Sequence, residues 1–372
     1  MNSSATESLI TVLYEQAEVE IKNNDYKRAL STLEKLMDLI KDCPEHYAYG
    51  GAKRLYAMIY KYQGKFQLAL NSAKEALSFF TKRNDYMEIY RIRELMGNIF
   101  HHFCRYSEAV KEWELALEAI SFFNDGMAQL RSKAKIHIKL GEVLILLSRY
   151  KEARSNYAKG LSYSQQLKDP ALMGKCKMGI GVTYHRESRF KLALQLYYQA
   201  FKLIRKNNDQ VLMGRLFHCL GDIFTKLGQF EKAKKKYEKS LEISEKTGDF
   251  LTSAATLREI GRLYLDFDPE KTAFFCERSL DKLIENITAE TRWECERLMG
   301  KIFYLMALYH LQKNEKKEAM SNLIEAGEIF HKFDMKKEKK SAEILYQRIT
   351  GQPVKTKSYS KSRVLSVKLG LI

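Results

Sequence analysis

The side chains of this sequence that could do chemistry are mostly cations. Arg54, Lys61, Arg91, Lys135, Lys175, Arg186, Arg215, Lys226, Arg258 and Arg262 fall at related positions along a recurring pattern, with Asn98, His101, His185 and His218 beside them. The acids that share those positions, Glu94, Glu142 and Asp222, are fewer. Guanidinium and ammonium groups hold carboxylates through charge-assisted hydrogen bonds, so the chemistry on offer is recognition of an anionic partner. Bond-breaking machinery is not visible. The sequence carries no G-x-S-x-G elbow, P-loop or glycine-rich dinucleotide fingerprint. Its cysteines and histidines are scattered, which is no basis for a nucleophile. We therefore expect no enzyme and no cofactor.

A metal site is not expected either. His101 and His102 are adjacent, so on a helix they point about 100° apart and cannot share one ion well. We read His137, His185 and His218, which belong to different repeats, as lacking a Cys or carboxylate at ligand spacing, hence as groove or core residues. The six cysteines (Cys43, Cys104, Cys176, Cys219, Cys276, Cys295) include no C-x-x-C pair. Five of them fall in helical patterns, which points to buried free thiols in a reducing compartment. The N-terminus has neither the basic start nor the apolar stretch of a secretory signal. No apolar run is long enough to span a membrane. The expected location is the cytoplasm. The net charge of +17 attracts acidic peptides, nucleic acid or anionic surfaces alike and does not choose among them.

Something must position those cations, and the sequence says what. Only 4 prolines occur in 372 residues, which favours a mostly helical chain. An aromatic followed three residues later by alanine recurs at Tyr26/Ala29, Phe66/Ala69, Tyr106/Ala109, Tyr150/Ala153, Phe190/Ala193 and Phe230/Ala233, with the alanine continuing at Ala273 and Ala319. Successive alanines lie 40, 40, 44, 40, 40, 40 and 46 residues apart. Twelve positions before each stands another small residue: Ala17, Ala57, Gly97, Gly141, Gly181, Gly221, Gly261 and Ala307. Glycine in a helix costs roughly 1 kcal/mol relative to alanine, so five aligned glycines need a packing reason, and close approach of two helix backbones supplies one. A bulky residue three positions later, such as Phe100, Leu144 or Phe224, would fill the space between neighbouring helices. Turns between pairs end in Asp85, Asp125, Asp169, Asp209 and Asp249, placed to cap the next helix.

These marks resemble the tetratricopeptide repeat family over residues 7–335, in a long version of about forty residues per unit. Units of this length look like those of the adaptors LGN and Pins, the scaffold rapsyn and, less closely, bacterial peptide sensors of the Rap type. The family's usual proline at the end of the unit is missing here. The seventh repeat has Asp268-Pro269-Glu270 in place of its aromatic, and the eighth has Lys316.

The resemblance implies an all-α fold, a right-handed α-α superhelix of about eight helix pairs. The expected repeats are 7–45, 46–85, 86–125, 127–169, 170–209, 210–249, 250–287 and 288–335. A capping helix comes next over 336–351, with Ile344, Leu345 and Ile349 facing back, and then a flexible basic tail over 352–372. In such an array each pair buries its apolar face only against its neighbours. The polar face of residues 7–23 would cap the front. The first helix of each pair would line a concave groove, which the cations named above face.

A positive groove favours an acidic extended or helical segment of a partner. The leading expectation is a protein–protein adaptor or scaffold, a role that tetratricopeptide proteins fill in the cytoskeleton and elsewhere. The first alternative is a peptide-responsive regulator of the Rap type. Against it, repeats that begin by residue 7 leave no room for a separate N-terminal output domain. The second alternative is nucleic-acid binding, which would weaken steeply with salt. The regular base-reading pairs that helical repeats use are not visible.

Overall fold

The computed structural model describes residues 3–43, 45–289 and 291–351. Among them are seventeen α-helices and no strand. The first pairs are α1 (Ser3–Lys22) with α2 (Tyr26–Leu39), α3 (Tyr47–Tyr62) with α4 (Phe66–Lys82), α5 (Tyr86–His102) with α6 (Tyr106–Ile120), and α7 (Gly126–Leu146) with α8 (Tyr150–Gln166). Then come α9 (Pro170–Arg186) and α10 (Phe190–Asn207), α11 (Gln210–Lys226) and α12 (Phe230–Thr247). The last pairs are α13 (Phe250–Tyr264) with α14 (Pro269–Asn286) and α15 (Arg292–Gln312) with α16 (Lys316–Lys332), and the single helix α17 (Lys336–Thr350) comes after them. The chain divides into two units, 1–179 and 180–372. Each is a stack of helix pairs of the tetratricopeptide type.

The recurring alanines sit at the centre of each pair. Ala29, Ala69, Ala109, Ala153, Ala193, Ala233 and Ala319 are all fully buried. The glycines twelve residues earlier have a different partner from the one expected. A Cβ on Gly97 would lie 2.3 Å from the Trp113 ring, and on Gly141, Gly181 and Gly221 it would lie 2.7, 2.5 and 2.4 Å from Tyr157, Tyr197 and Tyr237. These rings stand four residues after each alanine, one helical turn along the second helix. Glycine therefore makes room for an aromatic ring rather than for a neighbouring backbone. Where the small residue is Ala17, Ala57 or Ala307, the facing position holds Leu33, Ala73 or Leu323 instead. Pairing glycine with a ring and alanine with a smaller side chain keeps the summed volume in bounds, as close packing requires.

Repeat seven slips by one residue. The buried position of α14 is Thr272, with Cys276 and Ser279 below it, while Ala273 is only half-buried. The cause is its turn: α13 ends early, at Tyr264, and with Asp268 as cap and Pro269 as first residue α14 starts one position sooner after Gly261 than α12 does after Gly221. Here the helices do approach closely, because Cys276 is smaller than a ring. The Thr272 carbonyl lies 3.2 Å from a Cβ built on Gly261, and the Thr272 hydroxyl donates to the Gly261 carbonyl at 2.9 Å.

The aromatic marks join successive pairs. Phe66 packs its ring against Phe100 and Phe103 of the next repeat, with centroids 5.9 and 4.8 Å apart. The Asp turns behave as the sequence predicts. Asp85, Asp125, Asp169, Asp209 and Asp249 each accept a hydrogen bond from the backbone N–H two or three residues on.

The short turns inside pairs place Asn24, Gly64, Cys104, Ser148, Ser188, Gly228 and Asn314 in the left-handed conformation, five residues before the alanine. Cys104 thus sits in a turn, so four cysteines lie in helices rather than five. Cys176, Cys276 and Cys295 are buried free thiols, whereas Cys43 is exposed.

Both ends differ from expectation in detail. The front helix α1 buries Ile10, Ala17 and Ile21 but leaves Leu9, Val12 and Val19 about half exposed, so its outer face is not wholly polar. On α17 the buried residue is Ala342, with Leu345 and Ile349 partly covered, and Ile344 turns outward. The basic segment 352–372 lies outside the described residues.

Candidate functional site

Two clefts, one in each unit, collect the predicted cations. In the second unit a cavity of about 520 Å³ opens along the first helices of successive pairs. It is lined by His185 and Arg186 of α9, His218, Asp222 and Lys226 of α11, Arg258, Glu259 and Arg262 of α13, Lys301 and Tyr304 of α15, and Lys337, Glu338 and Ser341 of α17. Second helices contribute only Tyr237 and Phe330. This arrangement comes from the repeat: second helices turn their small and aromatic faces inward, so the polar wall belongs to the first helices.

The charges are unequal. Six cations (Arg186, Lys226, Arg258, Arg262, Lys301, Lys337) stand against three carboxylates (Asp222, Glu259, Glu338). Glu259 is already committed: it is buried, ion-paired to Arg258 beside it and 3.5 Å from Arg262. Burial alone would raise its pKa, but Arg258, Arg262 and His218 together draw it down to about 2. Lys301 has less support. Burial and the nearby Arg258, Arg186 and Arg297 push its pKa down to about 8, opposed by Glu338 at 3.9 Å. Arg186, Lys226 and Lys337 have no ion pair among the described residues.

At the cavity floor His218 Nδ1 lies 3.0 Å from the Thr256 hydroxyl and its Nε2 lies 3.8 Å from Asp222. His218 therefore does have a carboxylate one helical turn away, which the sequence reading overlooked. Tyr237 donates its hydroxyl hydrogen to Asp222 at 2.7 Å. Burial lowers the pKa of His185, against the pull of Asp222, and Arg186, Lys226 and His218 lower it further.

The first unit's cleft is built differently. Arg54 of α3, mostly buried, donates to the Tyr14 hydroxyl at 2.7 Å and to Glu18 of α1 at 3.1 Å. Its Nε lies 3.1 Å from Glu88 of α5, which is also paired with Arg91. Three first helices are thus tied by one guanidinium. The cleft also holds Glu7, His46 and Tyr47, so its three carboxylates (Glu7, Glu18, Glu88) outnumber its two arginines.

Of the predicted groove residues, the structure brings His185, Arg186, His218, Lys226, Arg258 and Arg262 together in the second unit, and Arg54 and Arg91 in the first. The others line neither cleft. Lys61 lies over the Tyr62 ring, Asn98 accepts from Lys139, and His101 packs near Trp113 and Tyr106. Arg215 is held at 2.9 Å by Asp249, and Lys135 and Lys175 are exposed. Lys301, Tyr304 and Lys337 were missed. Lys301 could have been found, since it stands six residues before Ala307, the same offset as Arg91, Lys135, Lys175 and Arg215 from their glycines.

Comparison with known proteins agrees with this architecture. The tetratricopeptide repeat family model matches residues 215–247. No curated protein matches the sequence. Among solved structures, the chain is similar to aspartyl phosphate phosphatase F from Bacillus subtilis, with TM-score 0.62, 18% identity, and coverage of 88% of this chain and 85% of that one. The apo form of RapI superposes with TM-score 0.61 at 15% identity, covering 76% of this chain and 98% of the other. The Rap conjugation gene regulator of the plasmid pLS20, solved with a Phr peptide, gives TM-score 0.56 at 13% identity, over 92% of this chain and 96% of that one. At such identities the likeness is one of fold. No described helix is long and apolar enough to cross a membrane. Repeat marks, helix pairing and the match over residues 215–247 converge on an all-α array of tetratricopeptide-type helix pairs whose fold resembles that of the Rap-type proteins.

Proposed function

We propose that this chain is a non-enzymatic peptide-binding protein that holds an acidic segment of a partner in the cavity of its second unit. The observation that carries the reading is the charge surplus there: six cations face three carboxylates, one of which is already engaged by two arginines. Clustered like charges on a partly enclosed wall repel one another, and a ligand carboxylate relieves that repulsion while forming charge-assisted hydrogen bonds. Arg215 is not among the reading groups, because Asp249 already holds it.

Within this reading the partner segment belongs to another protein, as for an adaptor. The fold likeness to a Rap regulator solved with a Phr peptide favours a second version, in which the bound peptide is itself the signal. The two share one cavity and differ in the consequence of binding.

The test is titration of the full chain with a synthetic peptide in which Asp and Glu alternate with small residues. R186E/K226E, which alters two cations without an ion pair among the described residues, should weaken binding roughly tenfold or more with an unchanged unfolding midpoint. Near pH 8 binding should take up protons, because a nearby carboxylate raises the depressed Lys301 pKa. Equal affinity for the variant, or for a basic peptide of the same length, would overturn the reading.

A further inference from the structure

A second cleft in the same unit, of about 710 Å³, lies on the opposite helix type: its walls are α10 and α12, the second helices of their pairs. Its floor is apolar. Leu194 and Tyr198 stand one helical turn apart on α10, and Phe224 of α11 closes the bottom. Tyr198 is about half exposed, so its ring is open to a partner.

Its rim is basic. Lys232, Lys235, Lys236 and Lys239 of α12 stand at i, i+3, i+4 and i+7, which places them along one face of the helix. Two carboxylates, Glu238 and Glu242, share the rim, but Glu242 is engaged by Lys246 at 2.6 Å. Lys236 and Lys239 both lie over the Phe217 ring, at 5.5 and 5.8 Å from its centre. Burial, and after it the neighbouring Lys239, lower the pKa of Lys236. The facing helix adds no compensation: α10 contains Lys191, Lys202, Arg205 and Lys206 and no acid.

We propose that this cleft docks an acidic amphipathic helix of a partner protein. Apolar side chains of the incoming helix cover Leu194, Tyr198 and Phe224, and carboxylates on its flanks meet the lysine row. A helix is the occupant that fits, because both walls are helices and the lysines repeat with helical spacing, so an apolar stripe flanked by acids matches them along its length. The contact is independent of the peptide cavity, which is lined almost wholly by first helices.

The experiment uses the full chain and a labelled synthetic peptide with leucines at i, i+4 and i+7 and glutamates on the flanking faces. Two controls are a peptide of the same composition with its leucines dispersed, and a single-stranded oligonucleotide. The amphipathic peptide should bind with a gain in helical circular dichroism. K235E/K239E should weaken it roughly tenfold or more, and Y198A severalfold, with unchanged unfolding midpoints. R186E/K226E should leave this binding unchanged while it weakens capture of the extended acidic peptide roughly tenfold or more. Equal binding of the dispersed-leucine peptide would overturn the proposal in favour of charge alone. Tighter binding of the oligonucleotide, lost in the same lysine variant, would overturn it in favour of nucleic acid.

Discussion

Arg54 and Arg258 occupy the same place in their repeats, three residues before the small position, and they do opposite things. In the first unit Arg54 reaches outward along the wall and is matched by Glu18 and Glu88 on neighbouring first helices. Its charge is consumed in holding α1, α3 and α5 together. In the second unit Arg258 is matched by Glu259, its own neighbour in sequence. No acid is drawn from the adjoining described helices to meet Arg186, Lys226 and Lys337. A basic residue on such a wall is therefore structural when its acid comes from another helix. It becomes available for a ligand when the acids are spent locally.

The largest test of that contrast is removal of each arginine. R54A removes the guanidinium shared by Glu18 and Glu88, leaves buried Glu88 only the half-exposed Arg91, and should destabilise the first unit by about 3–5 kcal/mol, read from urea denaturation. R258A should cost less, about 2 kcal/mol, because Arg262 still faces Glu259. Equal losses would remove the distinction.

The next effect concerns packing. G221A drives a Cβ into the Tyr237 ring and should cost about 2 kcal/mol. A57G should cost about 1–2 kcal/mol, since Ala57 is fully buried and the change adds a lost methyl to the helix-propensity term. Both are read from thermal or urea unfolding of the full chain. The smallest effect is a control on which the units should agree. Ser148 and Ser188 both hold left-handed turns, so S148G and S188G should each stabilise by about 0.5–1 kcal/mol.

Much of the fold was readable because its devices are local. Alanine spacing, Asp caps and turn residues act within one or two helical turns, so they leave a periodic trace. The slip in repeat seven was not visible, since Thr272 buries as well as Ala273 would and only the Asp268-Pro269 turn decides between them. The role of the glycines was half legible: their smallness was plain, while the ring each one faces lies sixteen residues on, in the other helix of the pair. Covariation inside this one sequence, glycine with Trp113, Tyr157, Tyr197 and Tyr237 and alanine with Leu33, Ala73 and Leu323, carries that signal. Among the cations, offset counting found Arg186, Lys226, Arg258 and Arg262 but passed over Lys301, although Ala307 fixed the register of the eighth repeat.

The amino-acid sequence by itself determined the helical pairs, their number and the stripe on which polar side chains stand, because periodic burial is a property of short segments. Tertiary structure alone decided which of those charges are satisfied. An ion pair depends on residues some thirty-five positions apart meeting across helices, as Glu18, Arg54 and Glu88 do. Whether a cation ends as glue or as a binding group is settled by that meeting, in a medium where an unmatched charge is costly.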